Sequence, residues 1–128
     1  MRLWHQDLIS RLPRQQLLGQ HRECCALRGL AWGRKHSTVQ YVFKYNPGRL
    51  FAYHRNVMGE MIKRGYTVDP AWFSPFYRGK NCQLWETASL IDYGNLYPVF
   101  PEHNDTYFQE CLSNLKRKGI IVDRPYIF

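Results

Sequence analysis

Glu23 is a lone acid on a helix face made basic by Arg14, Arg22 and Arg28, with Gln15 and His21 beside them. A carboxylate in that setting has two readings. It closes a surface ion pair with a neighbouring base, an interaction that contributes little when exposed. Or it is held partly buried as an acid/base group, ringed by positive charge. Further along, Arg34-Lys35-His36 offers three adjacent groups able to contact phosphate oxygens, or simply a solvated charged face. Trp4 and His5 sit close to the start of the chain, where an aromatic surface or an imidazole can act on whatever binds there. Large aromatics nevertheless carry most of a small core, so Trp4, Trp32, Trp72 and Trp85 are expected mainly inside.

Metal chemistry has little support in the spacing. Cys24, Cys25, Cys82 and Cys111 contain no CxxC pair, and His5, His21, His36, His54 and His103 contain no pair at i, i+4. We therefore expect reduced, structural cysteines, no metal and no cofactor.

These groups must be positioned by a chain of 128 residues with 16% aromatic residues and a net charge of +8. That composition excludes disorder and is long enough for one domain, 1–128, with its own core. No apolar run reaches the roughly 18 residues of a membrane span, and the start lacks a signal-peptide pattern. A cytoplasmic, monomeric protein is expected. The charge is one-sided, +10 over residues 1–80 and −2 over 81–128. Such polarity fits a polyanion partner, DNA or RNA, with aromatic residues as stacking platforms.

Hydrophobic spacing predicts three helices. The first runs from Arg14, after Pro13, to about Leu30. The second runs from about Pro47 to Arg64 with Gly65 as its C-cap. The third is capped by Asn104 or Asp105 and ends at Gly119. Residues 37–45 read as an extended piece or a structured loop. Residues 66–101, rich in Pro, Gly and aromatics, read as a packed irregular layer with a short helix near Leu84–Ile91. The tail Ile120–Phe128 should pack down. The expected fold is mostly α, a compact three-helix single domain with long aromatic-rich loops. The alternative is α+β, with a small sheet from 37–45 and 120–128.

The order Leu17-Leu18-Gly19-Gln20-His21-Arg22-Glu23, Gly33-Arg34-Lys35-His36, Val42-Phe43-Lys44-Tyr45 and Glu60-Met61-Ile62-Lys63-Arg64-Gly65-Tyr66 resembles the pyrimidine-dimer DNA glycosylase family. The similarity is close over residues 1–66 and loose beyond, where Arg124-Pro125-Tyr126 is a weaker echo of the family's aromatic tail. The resemblance implies a helical, metal-independent enzyme that cuts the glycosidic bond of a damaged pyrimidine in double-stranded DNA and then nicks the strand. Its nucleophile is the N-terminal α-amine, here that of Met1, which forms a Schiff base with deoxyribose. Glu23 then moves protons and stabilises the cationic sugar or imine, and Arg22 holds phosphate. The implied DNA contacts are Arg2, Gln15, His21, Arg22, Arg28, Arg34, Lys35 and His36. Arg28 substitutes for a family base whose position holds Ala26, and His21 stands where the family has a tyrosine. The family prototype presents a small residue's amine, whereas residue 2 here is Arg. A non-catalytic DNA-binding protein on the same scaffold, and an RNA-binding or interaction module, are the competing functions.

Overall fold

The computed structural model describes residues 2–86 and 90–122. Three α-helices carry it: α1 (Arg14–Arg28), α2 (Pro47–Lys63) and α3 (Asp105–Arg117). Among the described residues no strand forms, so the mostly α expectation holds and the α+β alternative does not. The stretch 37–45 instead winds into a 3₁₀ turn over Gln40–Lys44. Val39 and Val42, both buried, fall three residues apart, which is one turn of a 3₁₀-helix. Burial of that face outweighs the β propensity of its residues. The described residues of the short helix expected near Leu84–Ile91 are not helical. Residues 83–86 and 90–93 are irregular, and 87–89 lie outside the described residues.

The helix ends follow the sequence signals closely. Asn46 and Asn104 accept from the backbone N–H of Gly48 and Tyr107 and so cap α2 and α3. Gly65 and Gly119 take positive φ angles of 84° and 80°. Each completes a double hydrogen-bonded stop: Gly65 N–H to Ile62 O with Tyr66 N–H to Met61 O, and Gly119 N–H to Lys116 O with Ile120 N–H to Leu115 O. α1 ends sooner than Leu30, at Gly29, where a Cβ would meet the Arg78 carbonyl at 2.9 Å. The Arg78 side chain donates to the Arg28 and Gly29 carbonyls, placing positive charge at the C-terminal end of α1.

The N-terminal segment runs through the core. Leu3, Trp4, Leu8, Ile9 and Leu12 are buried together with Leu17, Cys24 and Leu27 of α1, Leu50, Tyr53 and Val57 of α2, and Phe108, Cys111 and Leu115 of α3. A 3₁₀ turn over Gln6–Arg11, absent from the sequence expectation, connects this segment to α1. Ile120 and Val122 pack against the same core. The rest of the tail, 123–128, including Arg124-Pro125-Tyr126, lies outside the described residues. No helix among the described residues is long and apolar enough to cross a membrane.

Candidate active site

α1 spans 15 residues, and residues separated by three, four and seven share a face. Gln16, Gly19, Gln20 and Glu23 form one such stripe. The stripe lines a cavity of about 400 Å³ with Arg2, Trp4, Gln15, Thr38, Asn114 and Lys118. The cavity is therefore shared among the N-terminal segment, α1, the segment before Val39, and the end of α3.

Glu23 is half-buried. Its Oε2 is buried and has no hydrogen-bond partner among the described residues. Leaving a buried oxygen unmatched costs about 1–3 kcal/mol, more if charged, so such atoms concentrate where a ligand or substrate completes them. The nearby cationic groups are Arg2 and Lys118. Arg2 reaches α3 as well, with Nη1 3.3 Å from Glu110 Oε1 and the guanidinium 5.7 Å from the Tyr107 ring centroid. Sequence reasoning did not bring Asn114 and Lys118 to this site. Their i, i+4 spacing on α3 was the available signal.

The other expected site residues separate into four groups. Gln15 joins Glu23 in the cavity, and Arg22 is exposed on the adjoining face of α1. Arg34 and Lys35 are exposed and His36 half-buried in the irregular stretch just after the turn that follows α1. Met1 lies outside the described residues. Arg28 and His21 require correction.

Arg28, expected at phosphate, has no exposed surface. It donates to the carbonyls of Trp72, Ser74 and Tyr77 at 2.8, 2.6 and 2.8 Å and to His54 Nδ1 at 2.9 Å. Its guanidinium also lies 4.9 Å from the Trp72 ring centroid. Those carbonyls lie in and just after a short 3₁₀ turn over Pro70–Phe73 that no longer helix or sheet continues, and the buried fork supplies donors to them. His21, expected to face DNA beside Glu23, turns instead to α2. Two residues along an α-helix rotate by about 200°, which puts His21 and Glu23 on opposite sides.

His21 Nδ1 lies 2.8 Å from His54 Nε2, and Cys25 Sγ lies 3.8–4.0 Å from both rings. The three groups bring ligand-type atoms within 4.8 Å of one another. The spacing argument missed this because it paired histidine with histidine and cysteine with cysteine, whereas the i, i+4 pair is mixed. The bonding assigns the protons. Arginine can only donate, so His54 Nδ1 accepts, His54 Nε2 carries the hydrogen and gives it to His21 Nδ1, and His21 keeps its own on Nε2. A cation at this place would compete with the hydrogen on His54 Nε2 and face a buried guanidinium. The cluster is a matched hydrogen-bond relay. Burial pushes the His54 pKa well below the ordinary histidine value, with Arg28 adding to it, and lowers His21 in the same way. Burial also raises the Cys25 thiol to about 11, which leaves it a poor nucleophile at neutral pH.

The family model described as pyrimidine dimer DNA glycosylase matches residues 1–74. That span contains the N-terminal segment, α1, α2 and every cavity-lining residue except Asn114 and Lys118 at the end of α3. No curated protein and no solved structure matches the chain.

Proposed function

The chain belongs to the pyrimidine dimer DNA glycosylase family, and from that membership we propose that it excises damaged pyrimidines through a Schiff base and then cleaves the strand. The N-terminal amine, that of Met1, attacks C1′ of the damaged nucleotide's deoxyribose. The C1′–N bond to the base breaks, and the sugar ring opens as the iminium forms. An α-amine suits this step because its unperturbed pKa of about 7.7–8 leaves part of it neutral near physiological pH. Glu23 accepts and returns protons at the sugar, and its negative charge stabilises the cationic sugar and iminium. Removal of a C2′ proton then expels the 3′ phosphate and nicks the strand. Arg22 and Arg2 hold phosphates beside the cavity, Gln15 contacts the opened duplex, and Arg34, Lys35 and His36 extend the phosphate-binding surface. The damaged nucleotide must leave the stack for this chemistry, at a cost reduced by the lesion itself.

The observation that carries this reading is Glu23 Oε2, buried and unmatched among the described residues, in a cavity that Arg2 also lines. The test is release and nicking on a duplex with a single cyclobutane dimer, comparing the wild type with Glu23→Gln. Loss of a positioned acid/base group lowers the rate by about 10²–10⁴-fold, with duplex affinity retained. Equal rates for the two proteins would remove Glu23 from the mechanism.

A further inference from the structure

Residues 2–4 cross the buried interior without a strand to pair with, so their backbone groups need partners from side chains. Three consecutive carbonyls find them on three different helices. Arg2 O accepts from Gln20 Nε2 of α1 at 2.7 Å. Leu3 O accepts from the Tyr107 hydroxyl of α3 at 2.5 Å. Trp4 O lies 2.7 Å from the Tyr53 hydroxyl of α2. The amide of Gln20 has no freedom to flip. Its Nε2 is needed by Arg2 O, while its Oε1 accepts from Trp4 N–H at 3.1 Å and lies 2.7 Å from the same Tyr53 hydroxyl. Gln20 is 3% exposed and Tyr53 0%, so no water stands in for either.

We propose that Gln20, Tyr53 and Tyr107 are positioning residues, a clamp that fixes the backbone of residues 2–4 beside the cavity that Glu23 lines. The inference rests on the reading that the N-terminal amine is the nucleophile. Gln20 lines the same cavity as Glu23, three residues earlier on the same stripe of α1. It fixes the carbonyl of the residue immediately after the one that bears the amine. Consecutive Cα atoms are about 3.8 Å apart, so the anchoring of residue 2 limits how far an amine one residue earlier can reach. Misplacement by about 1 Å already costs on the order of a hundredfold in rate. Tyr107 lies beyond the family-matched residues 1–74, so α3 contributes both this anchor and the Asn114–Lys118 wall from outside that span.

The test uses Tyr107→Phe and Gln20→Met. The first removes only the hydroxyl and keeps the ring stacked on His103, at 5.0 Å between centroids, and the second keeps the side-chain length. In each variant we expect faster amide exchange at residues 3–5, and cooperative thermal unfolding that confirms the fold. Affinity for an abasic duplex should stay within about twofold, while the single-turnover rate of borohydride-trapped imine falls about tenfold or more. A merely structural role would alter stability and leave the trapping rate of the folded protein alone. Wild-type trapping rates in folded variants overturn the clamp while leaving the amine mechanism standing, as does unchanged exchange at residues 3–5. No adduct in the wild type itself overturns both.

Discussion

Glu23 and Arg28 are five residues apart on one helix, and their surroundings give them opposite fates. Glu23 opens to a cavity, and Arg28 is closed in by the carbonyls of Trp72, Ser74 and Tyr77. Arg28→Lys keeps the charge but replaces a planar fork of donors with a single ammonium, so it cannot serve all three carbonyls and His54. We predict a loss of about 2–4 kcal/mol of unfolding free energy in denaturant melts, since each buried carbonyl left unmatched costs about 1–3 kcal/mol. Duplex affinity of the folded variant should be close to wild type. A large loss of affinity without loss of stability would return Arg28 to the DNA surface. The sequence makes Glu23 legible because a lone acid among bases is a local pattern. Arg28 is not legible in the same way, because the carbonyls that claim it come from residues 72–77, far along the chain and without helix or strand periodicity. Asn114 and Lys118 are hidden for the same reason: their partners in the cavity lie on α1 and at Arg2.

Among the elements, the three helices and their stops were readable because capping is local. Asn46, Asn104, Gly65 and Gly119 each act within a few residues of themselves. Gly65→Ala forces a Cβ into a left-handed conformation and should lower stability by about 1 kcal/mol, seen as a lower melting temperature with unchanged activity. An unaltered melting temperature would mean that the end of α2 rearranges freely. Two segments, 37–45 and 84–91, lack such punctuation and were less legible. In the first, aromatic and β-branched content points to an extended chain, but Val39 and Val42 must reach one core and do so by a 3₁₀ turn. The turn Gln6–Arg11 was missed because its buried Leu8 and Ile9 are adjacent and show no helical period.

Over the whole molecule, the formal charge overstates what a polyanion meets. Arg28 is buried, and Arg49 lies 4.5 and 4.9 Å from the Tyr45 and Tyr93 ring centroids and donates to Val99 O. Arg64 bonds Glu60 and the carbonyls of Leu12 and Ser10, and Arg78 caps α1. The exposed pair Arg34 and Lys35 should instead carry salt dependence. Arg34→Ala and Lys35→Ala are each predicted to reduce the slope of log affinity against log salt by about 0.9, in binding titrations across ionic strength. No change in slope would place DNA elsewhere.

The buried histidines set a second global property. Burial lowers His5, His21 and His54, and pushes His103 down from 6.5 to about 3. Between these values and 6.5 the unfolded chain binds protons that the native state refuses, so stability rises with pH across that window. The contribution is present above about pH 6.5 and is lost as pH falls. Thermal melts should therefore drop between about pH 7 and pH 5, before most carboxylates titrate. His103→Gln should flatten part of that slope, and a wild-type melting temperature constant over the range would contradict the neutral assignment.

The central claim, an amine acting beside Glu23, is tested most directly by borohydride trapping. Protein whose N-terminal residue has been verified as Met1 is incubated with abasic-site and cyclobutane-dimer duplexes, and the adduct is mapped by mass spectrometry. The account predicts a covalent adduct at the Met1 amine, absent after N-terminal acetylation and diminished in Glu23→Gln. Tight duplex binding with no adduct on either substrate would contradict it and leave a DNA-binding protein on the same scaffold.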